Sequence, residues 1–140
     1  GTQDIALSLT NNGVGPAILG PIEIRYEGKP IRNPTELLEA CCGAKTVGKL
    51  SYATSPSSVI AVRPGEEVRY LRLPRTAASE AVWKALNSER WKFKIRSCYC
   101  SIFNDCWVTE GMQGLPKQVG QCPATWKTYK EEAGQRIGRD

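Results

Sequence analysis

Six cysteines in 140 residues, with no histidine anywhere, constrain this chain more than any other feature. Cys41, Cys42, Cys98, Cys100, Cys106 and Cys122 form an even set, and none belongs to a C-x-x-C pair. Zinc sites favour paired C-x-x-C or Cys/His knuckles. The spacing here is Cys-Cys, Cys-x-Cys and isolated thiols, so no metal is expected. A cysteine nucleophile needs a histidine base, as do histidine-dependent serine and metal hydrolases, and those schemes fail without an imidazole. A thiol oxidoreductase typically uses a low-pKa cysteine at a helix N-terminus. Cys41 and Cys42 instead fall at the end of a predicted helix, where the dipole raises a thiol pKa. Covalent pairing in an oxidising compartment is what remains.

One domain suits this length, and such a chain buries ~68–70% of its unfolded surface, so disulfides add to a core rather than replace it. No apolar run reaches the roughly 18 residues of a membrane span. The chain opens Gly1-Thr2-Gln3, and we expect an excised soluble piece whose anchor lies outside this segment. The net charge of +5 arises between Arg63 and Arg96, where nine basic residues face four acidic ones. Such a field attracts anionic partners, although a solvated, charge-kept surface accounts for it as well. Carboxylates give little to build catalysis on: Glu66 and Glu67 lie at a turn, and the others are scattered among basic neighbours.

Ile5, Leu7 and Leu9 alternate with small or polar residues and predict a half-buried strand. After the Asn11-Asn12-Gly13 break, Ile22, Ile24 and Tyr26 form one face of a second strand, with a bulge or edge at Gly20-Pro21. Asn33-Pro34-Thr35-Glu36 starts a helix by capping, and Gly43 ends it after Leu37, Leu38, Cys41 and Cys42. Residues 44–57 read as a loop with a short strand near Leu50–Ala53. Val59–Val62 and Val68–Leu73 are strands joined by a Pro64-Gly65 turn, and Ala77–Leu86 is a helix. Trp91–Cys100 is the clearest strand, with Trp91, Phe93, Ile95 and Tyr99 on one face and Lys92, Lys94, Arg96, Cys98 and Cys100 on the other. Cys106–Thr109 returns antiparallel, and from Pro123 onward hydrophobic periodicity fades. The expected organisation is a single domain over 1–122 followed by a charged, poorly packed tail over 123–140. Short strands with two helical insertions and Pro/Gly turns argue for a mainly β, antiparallel two-sheet sandwich.

Six cysteines allow fifteen pairings. Cys100 and Cys106 flank a short turn, and bridging them contributes ~2–2.5 kcal/mol by loop-closure entropy. Cys98 lies on the same face, where the helix could cover it, so Cys41 or Cys42 is its expected partner. Cys122 then takes the remaining helix cysteine. The side chains of Cys41 and Cys42 diverge by ~100° in a helix, and a vicinal bond would distort it.

Two segments resemble a family. Leu9-Thr10-Asn11-Asn12-Gly13-Val14-Gly15-Pro16-Ala17 resembles the L-x-N-x-G-x-GPA opening of uncharacterised bacterial proteins in which a periplasmic domain follows an N-terminal membrane helix. Cys98-Tyr99-Cys100-Ser101 with Cys106-Trp107 is similar to the CYCS…CW hairpin of the same proteins. The resemblance implies an extracytoplasmic, immunoglobulin-like sandwich tethered to the inner membrane, and it brings no catalytic residues. The expected role is therefore a non-catalytic, extracytoplasmic binding or interaction module without a cofactor. Its partner would be a protein or an anionic envelope component, with no nucleic acid, and a freely secreted protein is the alternative location. A small envelope redox or hydrolytic enzyme is the alternative function. The expected binding face is Lys92, Lys94 and Arg96 with Arg69 or Arg72, and the second choice is the Tyr99/Trp107 cluster. Core packing is expected for Trp83, Trp91 and Phe93.

Overall fold

Alternation over Asp4–Thr10 produces β1, which buries Ile5 completely and turns Asp4, Ala6 and Ser8 away from the core. A computed structural model of the chain describes residues 3–43, 61–111 and 115–130. The loop at 44–57, the strand near Leu50–Ala53 and the start of Val59–Val62 lie outside the described residues. β2 (Ala17–Tyr26) follows, and its register against a later strand slips between Leu19 and Ile22, so Gly20-Pro21 is a bulge as anticipated. Glu27 and Gly28 both take positive φ, 51° and 81°, and fold the chain tightly into β3 (Lys29–Ile31).

Helix α1 (Pro34–Cys42) begins where the residue types demand it. The Asn33 Oδ1 accepts the Glu36 backbone N–H at 2.8 Å, and Pro34 occupies the first turn. The Glu36 carboxylate reaches back to Arg32 rather than Asn33, accepting from its Nε at 2.9 Å. β4 (Ala61–Val62) adds to β2, and a turn at Gly65 carries the chain to β5 (Glu67–Pro74) in the other sheet. Helix α2 (Glu80–Glu89) starts three residues later than its composition suggests. Ser79 Oγ donates to the Pro74 carbonyl at 2.7 Å and accepts the Thr76 N–H at 2.9 Å, holding 76–79 in a turn. A 3-10 turn (Arg90–Lys92) leads into β6 (Phe93–Cys100), followed by β7 (Cys106–Glu110) and β8 (Lys117–Val119).

The fold is mainly β, and every described strand pairing is antiparallel. β1 and β5 form a two-stranded sheet, while β3-β2-β6-β7-β8, with β4 beside β2, form a six-stranded one. The sheets do not close on each other. Ile5, Leu71 and Leu73 from the small sheet, Ile24 and Phe93 from the large one, and Leu37, Leu38 and Leu86 from the paired helices make one core. At ~25 cal/mol per Å2 of apolar surface, each fully buried leucine is stabilised by roughly 2 kcal/mol. Among the described residues no helix is long and apolar enough to cross a membrane.

Two expectations about the core fail. Trp91 belongs to the 3-10 turn, not to β6, and is 73% exposed with the Arg90 guanidinium 4.8 Å from its ring. The turn breaks the period of two before Phe93, so Trp91 loses its place on the inner face. The tail is the second. Residues 123–130 are not poorly packed: Tyr129 is 4% exposed, donates its N–H to the Ile22 carbonyl at 2.9 Å and its hydroxyl to the Tyr70 carbonyl at 2.9 Å. β4 pairs with β2 at Ala17 and Ile18 and β3 pairs from Ile24, so the β2 edge between them is left for this segment. The domain therefore runs past 122, and 131–140 lie outside the described residues.

Candidate functional site

β6 has two sides, and each positions one of the candidate sites. Ile95, Ser97 and Tyr99 face the side of the core; Lys94, Arg96, Cys98 and Cys100 face away from it.

The outer side is held by the segment that follows β8. Cys98 is joined to Cys122, and Cys100 is joined to Cys106 directly across the β6–β7 ladder with Cα atoms 4.0 Å apart. The hairpin bond was legible from the short turn. The expected bond from Cys98 to Cys41 or Cys42 is absent, and Cys122 does not pair with a helix cysteine. Cys41 and Cys42 are bonded to each other, against expectation. The reason is sidedness: α1 packs on the core side of the large sheet, whereas Cys98 points to the opposite side. Gly20 makes the approach of Cys122 possible, because a Cβ there would stand 2.8 Å from the Cys122 Sγ. Among the described residues no cysteine is free.

Next to these sulfurs lies a buried carboxylate. Glu23 is 2% exposed and accepts from Arg25 Nε and Arg96 Nε at 2.9 Å each and from the Lys127 N–H at 3.0 Å. Burial pushes its pKa up, but the Arg25 and Arg96 hydrogen bonds and the Lys127 N–H outweigh it and hold the pKa at about 2. Arg96 also stacks on Trp126, 4.3 Å from the ring. Arg96 is thus committed to the fold.

The remaining members of the expected basic face do not meet. Lys92 pairs with Glu89 at 3.0 Å in the turn before β6. Arg69 pairs with Glu67 at 2.7 Å and Arg72 with Asp4 at 2.6 Å, both on the solvent side of the small sheet. They stand on a different sheet from Lys94 and Arg96. Within the set only Lys94 has no anionic partner among the described residues. Seven of the nine basic residues between Arg63 and Arg96 have a carboxylate at ion-pair distance. Most of these cations are thus engaged one by one, although the net charge stays at +5.

The core side offers something different. At the Thr10 end of β1, residues of both sheets and of the loop after β1 enclose a cleft of about 350 Å3. Leu9, Leu19, Val62, Tyr99, Thr109 and Pro116 line it. Tyr99 and Trp107 are half-buried, with ring centroids 5.9 Å apart and planes 25° apart, so they stack as a cross-strand pair. Burial raises the Tyr99 pKa, so its phenol stays protonated at neutral pH. No described residue hydrogen-bonds that hydroxyl. The mouth is riveted by Asn11: its Nδ2 donates to the carbonyls of Val62 at 2.8 Å and Gly15 at 3.0 Å, and its Oδ1 accepts the Gly13 N–H at 2.9 Å. The Asn11 backbone ties the same loop to the Gly65 turn. Exposed Val14 flanks Gly13, and exposed Leu115 flanks Pro116.

Sequence reasoning named Tyr99 and Trp107 as a pair, and the structure brings them together. It missed the cleft itself, because Leu9, Leu19, Val62 and Pro116 come from four distant segments. Their one local sign is that each lies at or close to a strand end. No family model, no curated protein and no solved structure matches the chain.

Proposed function

We propose that this chain is a non-catalytic, extracytoplasmic binding module, and that the cleft over the Tyr99–Trp107 stack receives its ligand. The observation that carries this is the combination of an apolar cleft of about 350 Å3 with a half-exposed aromatic pair and an unengaged phenol. Such concave, mostly apolar sites with few polar groups are the usual form of a ligand pocket. The chemistry suits an aromatic or aliphatic group carrying one hydrogen-bonding atom, either a small molecule or a side chain of a protein partner. Periplasmic location, with a membrane tether outside this segment, is supported by the cysteines at disulfide distance and by the N-x-G-x-GPA and CYCS…CW resemblance. β1 runs from Asp4 towards the cleft mouth at Thr10, so a tether before β1 would attach away from the cleft. We read the two sheets as an open form of the immunoglobulin-like sandwich, supported by their shared core.

The test uses 1-anilinonaphthalene-8-sulfonate, an aromatic anion that fluoresces in apolar sites. Native protein should bind it saturably at one site, and Tyr99→Ala should weaken binding about tenfold, the equivalent of one aromatic contact. Absence of saturable binding, or a Kd unmoved by Tyr99→Ala in a protein with native circular dichroism, would refute the cleft. Location is tested separately: unreduced protein from its native host should resist iodoacetamide, and labelling of all six cysteines would sink that part.

A further inference from the structure

Two disulfides stand in contact on the outer side of β6. The Sγ atoms of Cys100 and Cys122, which belong to different bonds, are 3.8 Å apart, and the sulfurs of Cys100, Cys106 and Cys122 all lie within 4.8 Å of one another. Four sulfurs therefore run as a chain, Cys98–Cys122 against Cys100–Cys106. Their exposure is ordered. Cys98 is 1% and Cys106 3% exposed, whereas Cys100 and Cys122, the two in contact, are half-buried and nearer solvent.

We propose that these four cysteines form one thiol–disulfide exchange site that accepts electrons from an external dithiol and relays them between the two bonds. Exchange requires a thiolate beside a disulfide sulfur, and here the neighbour is supplied by the fold. A dithiol thiolate attacks the Cys100 Sγ and expels the Cys106 thiolate, which takes a proton. The second thiol of the reagent closes on the mixed disulfide, leaving as the oxidised dithiol and freeing the Cys100 thiolate. That thiolate attacks the Cys122 Sγ, forms Cys100–Cys122 and expels Cys98, which is protonated in turn. Two electrons enter, one dithiol is oxidised, and one disulfide remains. Attack at Cys122 instead frees Cys98 first; the Cys122 thiolate then attacks Cys100 and releases Cys106. Both routes converge on the same product, a bond between the two outer sulfurs with the two buried ones as thiols. Holding the reactants in contact makes the second step intramolecular, where effective concentrations far exceed those of a free thiol. Gly20 is part of the site, since any side chain there would displace the Cys122 sulfur.

The experiment is partial reduction of the native protein with limiting dithiothreitol, an acid quench, alkylation and chymotryptic mapping. Cleavage after Tyr99, Phe103 and Trp107 separates the three β6–β7 cysteines. Among molecules that have lost one of the two bonds, Cys100–Cys122 should exceed either native bond, with Cys98 and Cys106 alkylated. A Cys100–Cys122 link rarer than either native bond overturns the proposal. Cys106→Ser sharpens it without any reductant. That variant should carry Cys100–Cys122 and a labelled Cys98, and retention of Cys98–Cys122 with a labelled Cys100 would overturn it. Should the variant fail to fold, the wild-type map decides alone.

Discussion

The two sides of β6 are buried by different physics. Towards the core, Phe93 and Ile95 pack against Ile24, Tyr26 and the helices, and the contact is apolar and non-directional. Away from it, Arg96 and Cys98 are covered by residues 122–127 through a disulfide, a cation–π contact and a carboxylate shared by two arginines. Apolar packing tolerates many partners of the right volume, whereas the latch requires particular atoms at particular distances. One strand thus serves as a core wall and as an anchor plate, because its side chains alternate.

Substitutions separate the two kinds of burial. The largest effect should come from the core: Leu86→Ala, at a fully buried position between the helices, should lower stability by about 2–5 kcal/mol in urea unfolding. Removing the latch bond with paired Cys98→Ala and Cys122→Ala substitutions should cost about 3 kcal/mol through loop-closure entropy, leaving the core-side packing intact. Glu23→Gln should cost roughly 1–3 kcal/mol, the scale of a hydrogen-bonded charge, and should change the acid response. Because Glu23 titrates at about 2 when folded, below its ordinary value of 4.5, the folded state binds fewer protons between those values. Its stabilisation is complete above pH 4.5 and disappears as pH falls towards 2, so wild type should lose more stability over that window than Glu23→Gln. Equal acid slopes would show that the carboxylate does not hold the latch. Smallest of all, Lys94→Ala should shift stability by less than about 0.5 kcal/mol and leave probe binding at the cleft unchanged. A large loss of probe binding in that variant would place the probe on the basic face of β6 and not in the cleft.

Much of this arrangement is written in local patterns. The Asn33 cap, the Gly20-Pro21 bulge, the Gly65 turn and the alternation from Phe93 to Cys100 each depend on residues within a few positions, and each appears where expected. The Cys100–Cys106 bond is legible for the same reason, since its turn is short. Trp91 misleads because a 3-10 turn, invisible to a period-two count, ends one residue after it. Tyr129 misleads because two aromatics, Trp126 and Tyr129, among polar and charged residues carry no strand periodicity, yet an open stretch of β2 edge binds the Tyr129 backbone. Of the candidate cleft's lining only Tyr99 was named in advance, with Trp107 stacked beside it. The rest of the lining comes from chain segments whose meeting no local pattern encodes.

By itself the sequence determined that this chain is rich in antiparallel strands, carries paired sulfurs and lacks the imidazole that much hydrolytic chemistry needs. Only the tertiary structure decided which sulfurs pair, where the positive charges are neutralised and where a cleft opens. Strand and turn preferences act over neighbouring residues. Choosing partners across dozens of residues depends on which side of a sheet a side chain faces and on what arrives to cover it.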